Sequence, residues 1–308
     1  MSLSVAFQMD KNINFRNDTT VALMQEAQKR GYEIFFYTPN DLSLKNNEPI
    51  ASAKRVIACD SDFNFSEGEV IPLNKMHIIF VRQNPPFDMR YITTTYILEK
   101  VNALIINNPT EIRNCPEKLL VSHFPQFTLP TLITEDLAAI KSFYLEHKDV
   151  ILKPLYSYGG NDVLRINHND TNIEVISQIM TEKYNCPIIV QLFCNDINSD
   201  KRVLLLDGEP IGAIRRVPNS NEEIRTNIRL GASVEKVSLN DRDRNICTAV
   251  GLELRKRGLL FAAIDIIGDY LLEINITSPT GVVEVNELYN LSLEKTIWDC
   301  FEKTLKKQ

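Results

Sequence analysis

The stretch IDIIGDYLLEINITSPTG, residues 264–281, constrains the fold of this chain more than any other. Two apolar runs flank a turn at Gly268, and both carry polar side chains within them. Apolar, β-branched runs on either side of a turn predict a β-hairpin. The hairpin would place Asp265, Glu273 and Asn275 among isoleucines and leucines.

The length of the turn decides which residues of this hairpin face each other. A two-residue loop, 268–269, pairs Asp265 with Leu272, whereas a three-residue loop, 268–270, pairs Asp265 with Glu273. The sequence does not show which of these two registers the hairpin adopts. Only the second register brings the two carboxylates together.

Alternation along the second strand predicts that Glu273 and Asn275 share one face. The opposite face is then apolar and consists of Leu272, Ile274 and Ile276. Two carboxylates and an amide oxygen form a hard oxygen-ligand set that suits Mg²⁺ bound together with substrate phosphates. Burying unpaired carboxylates costs several kcal/mol, so a cationic partner is expected. The alternative is a hairpin whose acids are exposed to water.

Composition limits the classes of function. The chain has 308 residues, 44% of them hydrophobic, and a net charge of -6, which predicts a soluble protein of about two domains without a basic surface for nucleic acid or anionic lipid. Six cysteines without a CxxC pair argue against a zinc site or a disulfide framework. No basic leader or membrane-length apolar run is present, so we expect small-molecule partners and a cytoplasmic location.

Three units follow one another along the chain. Residues 1–120 alternate strand and helix patterns, with a first helix predicted from Thr19 to Arg30 and ended by Gly31, which indicates an open α/β domain with a parallel sheet. Residues 121–195 form a smaller central unit of strands and two helices. Residues 196–308 carry antiparallel strands with a tight hairpin turn predicted at Asp207-Gly208, and one helix is expected at the end of the chain. The polar loop 217–230 lies within the last unit. Its composition alone favours a solvated surface loop, but a loop of this length in a compact chain is often a lid or a binding loop, and as a lid we expect it to be mobile without ligands.

A candidate phosphate site lies in the central unit. In DVILKPLYSYGGNDVLRI, Lys153 ends a strand and Gly159-Gly160 follow in a short loop. Glycines let backbone N–H groups approach phosphate oxygens, and a lysine adds a positive charge. Lys118 and Arg202 are further candidate cations, although each alone is typical of a solvated surface charge.

The order of these segments carries a resemblance to a known family. The motifs are VRQNPPFD, TYILE, NCPEKL, DKRVLLLDGEPI and GLLFAAIDIIGDYLLEINITSPTG. Together they resemble the ATP-grasp ligases, and within them the prokaryotic glutathione synthetase family, over nearly the whole chain. The resemblance implies an α/β (α+β) ATP-grasp fold with an N-terminal open α/β domain, a small central lid domain and a C-terminal antiparallel-sheet domain.

The resemblance also implies a reaction. The carboxylate of γ-glutamylcysteine attacks the γ-phosphate of ATP, and the amine of glycine then displaces phosphate from the acyl phosphate. Mg²⁺, or Mn²⁺, is the expected metal, and a homo-oligomer is the expected assembly. Two alternatives stay open: a related ATP-grasp ligase with a different acceptor, and a nonenzymatic ATP-binding protein on the same fold.

The matching positions imply roles for individual residues at the nucleotide. Those matching nucleotide-binding positions are Lys118, Lys153, Gly159 and Gly160 at the phosphates, Val190, Gln191, Leu192 and Phe193 at adenine, and Asp200 near the ribose. Those matching metal ligands are Asp265, Glu273 and Asn275, which requires the three-residue hairpin loop. Arg202 matches the arginine beside the transferring phosphate.

Other matching positions concern the two remaining substrates. Arg82, Arg225 and Asn227 match positions that face the dipeptide or the intermediate, and Ser278 and Thr280 match the loop near glycine. Asn84 departs from the family pattern, which usually has aspartate there. This departure touches the side facing the peptide and leaves the cation and metal positions intact.

Overall fold

The computed structural model describes residues 2–11, 15, 17–59, 62–194, 199–220, 225–226, 228 and 231–307. Within these residues the chain forms three β-sheets of seven, four and five strands. Each sheet lies within one of the three sequence units described above. None of the described helices is long and apolar enough to cross a membrane.

The first sheet has seven strands in the order β3-β4-β2-β1-β6-β7, with β5 paired to β4. The strands are β1 (Ser4–Met9), β2 (Glu33–Tyr37), β3 (Leu42–Lys45), β4 (Glu48–Cys59), β5 (Phe63–Pro72), β6 (Ile78–Arg82) and β7 (Leu104–Ile106). The four strands β2-β1-β6-β7 are parallel, as predicted. Because Met9 pairs with Arg82, the carboxyl ends of β1 and β6 meet at one edge.

The expectation of a wholly parallel sheet was wrong at the other edge. There, β3, β4 and β5 run antiparallel to their neighbours. Asn46 and Asn47 both have positive φ, 51° and 67°, and form the two-residue turn between β3 and β4. Asparagine tolerates this conformation better than most residues, which makes such a turn possible without glycine.

Three helices accompany the first sheet: α1 (Thr19–Lys29), α2 (Met89–Leu98) and α3 (Pro109–Asn114). The carboxylate of Asp18 accepts a hydrogen bond from the Thr20 N–H and so caps the start of α1. Gly31, with φ 72°, follows the end of α1. The predicted first helix is therefore confirmed to within one residue.

The central sheet is antiparallel, in the order β10-β9-β11-β8. Its strands are β8 (Thr131–Thr134), β9 (Val150–Pro154), β10 (Leu164–Ile166) and β11 (Ile188–Leu192). The helices α4 (Leu137–His147) and α5 (Ile173–Tyr184) pack on it, and their buried side chains form a separate core. Lys153 in β9 and Gln191 in β11 lie on neighbouring strands of this sheet.

The third sheet is antiparallel, in the order β14-β13-β12-β15-β16. Its strands are β12 (Asp200–Leu206), β13 (Glu209–Val217), β14 (Ser233–Lys236), β15 (Phe261–Ile267) and β16 (Tyr270–Asn275). Its helices are α6 (Asp241–Lys256), α7 (Val282–Tyr289) and α8 (Leu293–Leu305), so two helices end the chain where one was expected. The predicted turn at Asp207-Gly208 is confirmed, with φ 47° and 73°.

Apolar contacts join the first and third sheets. On one face of the third sheet, α7 and α8 share a core with β1, β6 and α1. Trp298 of α8 is fully buried there, 5.2 Å from the ring of Phe80, and donates its indole N–H to the Leu23 carbonyl at 2.8 Å. On the other face, α6 packs together with residues 115–127. This packing fixes the hairpin β15–β16 relative to the carboxyl edge of the first sheet.

Candidate active site

A cleft of about 1230 Å³ lies where residues from all three sheets meet. Typical pockets for one small ligand span roughly 300–1,000 Å³, so this cleft has room for more than one substrate. Most sequence-predicted residues line it: Lys118, Lys153, Gly159, Gly160, Gln191, Leu192, Phe193, Asp200, Arg202, Arg225, Asp265, Glu273, Asn275, Ser278 and Thr280. Arg82 and Val190 are not among the lining residues.

The β15–β16 hairpin places Asp265 directly opposite Glu273. The predicted pairing is therefore confirmed, but the predicted three-residue loop was wrong. Ile267 pairs with Tyr270, so the turn has two residues. The register shifts by one residue between this pair and the pair of Asp265 with Glu273. The shift makes Leu272 an extra residue on β16, which is a β-bulge.

The bulge also changes which side chains of β16 face the cleft. Leu272 lines the cleft beside Glu273 and Asn275, so the prediction that it shares the apolar face was wrong. Leu271 is fully buried in its place, and Ile274 is fully buried as predicted. The strand thus keeps its apolar contacts while the polar pair faces the substrate side.

Asp265 is held by two arginines. Arg202 donates from Nε to Oδ1 at 2.8 Å and from Nη2 to Oδ2 at 2.7 Å, and Arg216 lies 3.0 Å from Oδ2 through its Nη2. Burial of Asp265 opposes its ionisation, but the two guanidiniums outweigh burial and hold its pKa well below the usual range. The two arginines therefore supply a cationic partner of the kind expected for this acid.

Arg216 was missed by the sequence analysis. Its Nε donates to Asp200 Oδ1 at 2.7 Å, and its Nη2 also bonds Asp200 Oδ2. The Thr226 hydroxyl donates to the same Oδ2 at 2.6 Å. A signal existed, because alternation places Arg216 on the same face of β13 as the fully buried Ile214.

Asp200 lines the cleft, and both of its carboxylate oxygens are bonded within the protein. Burial raises the pKa of Asp200, and the pull of Arg216 only partly opposes this rise. In this structure Asp200 anchors Arg216, and its predicted place near the ribose stays a prediction.

The predicted metal ligands are two carboxylates and one neutral amide. The Asn275 side-chain amide lies 3.3 Å from Asp265 Oδ2, and Lys118 Nζ lies 3.1 Å from Glu273 Oε1. Among the described residues, no group of three His, Cys, Asp or Glu side chains is arranged to hold a metal. Two carboxylates and one amide suit Mg²⁺ when phosphate oxygens complete its coordination, so these residues fit the ion as joint ligands with a nucleotide.

Lys153 and the glycine loop line the same cleft. Lys153 Nζ donates to Gln191 Oε1 at 3.0 Å. Burial lowers the pKa of Lys153 to about 8; Glu273 partly opposes this, and the charge of Lys118 adds to it. Gly159 and Gly160 have φ of 71° and 77°, a conformation that glycine adopts readily.

The predicted adenine segment is embedded in the central sheet. Val190 is fully buried within β11, between β8 and β9. The N–H of Leu192 donates to the Pro130 carbonyl and that of Phe193 to the Asp149 carbonyl, both at 3.0 Å. These two N–H groups are therefore engaged within the protein, and the placement of adenine against residues 190–193 stays a prediction.

Arg82 is buried and is not among the residues that line the cleft. It donates from Nη2 to the Pro279 carbonyl at 2.9 Å and from Nε to Thr20 Oγ1 at 3.0 Å. It thus ties the loop after β16 to α1, and its predicted contact with the dipeptide or the intermediate stays a prediction. In the same loop, the Thr280 hydroxyl accepts a hydrogen bond from Arg202 Nη1 at 3.0 Å.

Glu117 is a second residue that the sequence analysis missed. Its Oε1 accepts hydrogen bonds from the Ile276 N–H at 3.0 Å, the Thr277 N–H at 3.1 Å and the Thr277 hydroxyl at 2.7 Å. Burial, with the nearby charge of Glu273, raises its pKa. Its position immediately before Lys118 was the available signal. The Glu117-Lys118 pair therefore contacts both the loop after β16 and the acid on β16.

The loop 217–230 is described only in part. Arg225 and Thr226 line the cleft. Asn227 lies outside the described residues, so its predicted role and the predicted mobility of the loop stay predictions.

Comparison with known families and relatives agrees along the whole chain. The family model for the prokaryotic glutathione synthetase N-terminal domain matches residues 3–113, and the model for its ATP-grasp domain matches residues 117–290. A glutathione synthetase from Anaplasma centrale is 50% identical over 303 residues, which are 98% of each chain. A glutathione synthetase from Brucella melitensis biotype 1 is 41% identical over 310 residues, covering 98% of this chain and 99% of that protein.

Solved structures give the same fold at low sequence identity. The crystal structure of D-cycloserine synthetase DcsG has a TM-score of 0.72 at 13% identity and covers 98% of this chain and 99% of that one. D-alanyl-alanine synthetase A from Vibrio cholerae O1 biovar eltor has a TM-score of 0.65 at 9% identity, with 99% and 98% covered. These likenesses concern the fold alone.

Proposed function

The chain belongs to the prokaryotic glutathione synthetase family, and on this premise we propose that it joins glycine to γ-glutamylcysteine with ATP, giving glutathione, ADP and phosphate. One observation carries the chemistry. Lys118, Lys153 and Arg202 converge on one cleft with Asp265 and Glu273. Such a set serves phosphoryl transfer by neutralising charge and needs no side-chain nucleophile.

In the first step, an oxygen of the γ-glutamylcysteine carboxylate attacks the γ-phosphorus of ATP, and ADP leaves. A carboxylate and a triphosphate repel each other, so cations must offset their charges in the transition state. Lys153 and Lys118 bind phosphate oxygens in this proposal, with the N–H groups of the loop at Gly159-Gly160. Arg202 stabilises the phosphoryl group during transfer, and Asp265 orients its guanidinium through the paired hydrogen bonds.

Asp265, Glu273 and Asn275 would hold Mg²⁺, or Mn²⁺, which when bound neutralises phosphate charge and polarises the transferring group. The fit rests on their oxygen chemistry and on the pairing of the two acids across the hairpin. In this proposal Lys118, which neutralises Glu273 in the structure, gains a phosphate partner as the nucleotide binds.

In the second step, the glycine amine attacks the acyl carbon, and phosphate leaves with its bonding electron pair. Ser278 and Thr280 lie on the loop assigned to glycine, and Thr280 is bonded to Arg202. Arg225 and Asn227 belong to the loop that we assign to covering the intermediate. Covering is required because water would hydrolyse an acyl phosphate.

The remaining parts of the proposal concern organisation. We assign residues 1–120 to an N-terminal domain, 121–195 to a central lid domain and 196–308 to a C-terminal domain. A cytoplasmic homo-oligomer is the expected form of the protein. Adenine is assigned to the cleft wall at Gln191, Leu192 and Phe193, with Val190 supporting that wall from the core.

Phosphate release tests the proposed function. The protein is incubated with ATP, Mg²⁺, γ-glutamylcysteine and glycine, and each component is omitted in turn. We expect full release only with the complete mixture, with one glutathione formed for each phosphate. Equal release without γ-glutamylcysteine, or a higher kcat/KM for a different acid than for γ-glutamylcysteine, would contradict the proposal.

A further inference from the structure

Asp10 is a carboxylate on the wall of the cleft formed by the first sheet. It follows the end of β1, and its Oδ2 accepts two hydrogen bonds from Asn84, at 3.0 Å from the backbone N–H and at 2.7 Å from Nδ2. Asn84 follows the end of the neighbouring parallel strand β6. Ligands of open α/β sheets bind beyond the carboxyl ends of the strands, which is where this pair lies.

Several acids line the cleft. Asp265 and Asp200 are bonded to arginines, and Glu273 is paired with Lys118. Asp18 and Asp88 cap the starts of α1 and α2, and Glu117 accepts hydrogen bonds from the loop after β16. No lysine, arginine or histidine in the described part of the chain forms an ion pair with Asp10. The two donors from Asn84 fix the orientation of its carboxylate, but they are neutral and leave its negative charge in place.

The surroundings of Asn84 make the pair rigid. Gln83 is buried and accepts a hydrogen bond from the buried Gln8 Nε2 at 3.1 Å. The carbonyl of Gln83 also accepts from the Tyr91 hydroxyl at 3.3 Å. Gln83, the residue before Asn84, is thus bonded to β1 through its side chain and to α2 through its carbonyl, so the donors that orient Asp10 are held in place. A preorganised carboxylate discriminates between ligands better than a mobile one.

The position of Asp10 within the cleft suggests which group it meets. The reacting carboxylate of the acid substrate must reach the phosphate cations near Arg202, on the third sheet. The remainder of the substrate then extends along the cleft towards the first sheet. If the acid is γ-glutamylcysteine, its far end carries an ammonium and a second carboxylate.

We propose that Asp10 binds the α-ammonium group of the acid substrate, and that Asn84 is the positioning residue that orients the Asp10 carboxylate. This inference rests on the proposed function. Asp10 then determines specificity, because an acid that lacks the ammonium leaves a desolvated carboxylate without a partner.

The test compares two acids that differ only at this ammonium. One is γ-glutamylcysteine, and the other is glutarylcysteine, in which hydrogen replaces the α-ammonium. The full chain is assayed with saturating ATP, Mg²⁺ and glycine, and kcat/KM is measured for both acids. We expect a preference of about 100-fold or more for γ-glutamylcysteine in the unmodified protein, because sites that bond a polar group reject analogues without it.

Substitutions of Asp10 and Asn84 test whether this preference depends on the pair. Asp10→Asn should reduce it to within about threefold by weakening use of γ-glutamylcysteine, with KM for ATP and glycine unchanged. Asn84→Ala should reduce the preference by about tenfold, because the carboxylate stays but loses its orientation. Glu48→Gln removes one negative charge from the exposed start of β4 in the same domain, outside the cleft, and should change nothing.

The outcomes separate the two proposals. If the unmodified protein makes no glutathione, the proposed function fails. If it makes glutathione but Asp10→Asn keeps the full preference, the inference about Asp10 is overturned while the function stands. Circular dichroism checks folding; should Asp10→Asn not fold, Asn84→Ala decides, and an unchanged preference in that folded variant overturns the proposal.

Discussion

The carboxylate of Asp265 stands directly opposite Glu273 in the β15–β16 hairpin, because Leu272 is an extra residue on β16. Arg202 and Arg216 neutralise Asp265, and Lys118 neutralises Glu273. Both acids can bind a cationic ligand, and in its absence they are paired with cations of the protein. In the proposed function, these acids and cations bind a triphosphate and a metal together.

Glu273→Gln should lower kcat by at least about 100-fold, because it removes a charge where phosphoryl transfer requires electrostatic stabilisation. The thermal midpoint of unfolding should change little, since the amide keeps the size of the side chain. Steady-state assays over a range of Mg²⁺ concentrations check this result. Glu235→Gln, on the exposed strand β14 of the same sheet, is the matched control. Near-normal turnover in Glu273→Gln would contradict the metal assignment.

Lys153 should make ATP binding depend on pH. Its pKa is lowered to about 8 by burial, so the ammonium form predominates below about pH 8 and is lost as the pH rises. If only that form binds phosphate, affinity should fall about tenfold between the neutral range and about pH 9. Titration calorimetry with a non-hydrolysable ATP analogue measures this. Lys153→Arg keeps its charge and should flatten the profile; an equal slope in both proteins would refute the assignment.

Glu117→Ala should weaken glycine use more than ATP binding. The substitution removes the acceptor of three hydrogen bonds from Ile276 and Thr277, which lie just after the metal strand. We expect kcat/KM for glycine to fall by about 10- to 100-fold, as for residues that orient ligands without touching the reactants. Glu117→Gln keeps an acceptor oxygen and should recover part of the activity. Equal losses in both variants would exclude a positioning role.

Arg216→Met should destabilise the fold. Arg216 is 5% exposed and joins the buried acids Asp200 and Asp265. Removing one partner of a buried ion pair typically costs about 3–5 kcal/mol, because an uncompensated charge stays behind. Urea unfolding measures the loss. A free energy of unfolding within about 1 kcal/mol of the unmodified value would show that these acids do not need the arginine.

Gly251→Ala should also lower stability, through a steric effect. A Cβ at Gly251 in α6 would lie 2.0 Å from the Gly208 carbonyl oxygen in the β12–β13 turn. Backbone atoms cannot yield cheaply, so we expect a loss of about 1–3 kcal/mol. Gly68→Ala is the matched control, since its nearest contact would be 3.9 Å away. Equal unfolding midpoints for both variants would contradict this packing.

Much of the fold could be predicted because periodicity and turn residues act locally. The helix capped by Asp18 and the turn at Asp207-Gly208 lie where the sequence indicates. The strands 42–45, 48–59 and 63–72 were missed, because much of their length is exposed and their apolar alternation is weak.

The sequence predicted many of the residues of the candidate site, but it did not predict which side chains bond to each other. The lysines, Arg202 and the hairpin acids converge as expected. However, period-two alternation cannot reveal the bulge at Leu272, which lets a two-residue turn coexist with the pairing of Asp265 and Glu273. The partners of Arg216 and Glu117 depend on contacts between strands far apart in sequence, so local patterns could not assign them.

The most direct test of the account follows one oxygen atom. Supplying γ-glutamylcysteine labelled with ¹⁸O in the reacting carboxylate, with ATP, Mg²⁺ and glycine, allows mass spectrometry of the released phosphate. Attack of that carboxylate on the γ-phosphate predicts that each phosphate carries one labelled oxygen, because the acyl C–O bond breaks in the second step. Glutathione formed together with unlabelled phosphate would contradict the acyl-phosphate mechanism.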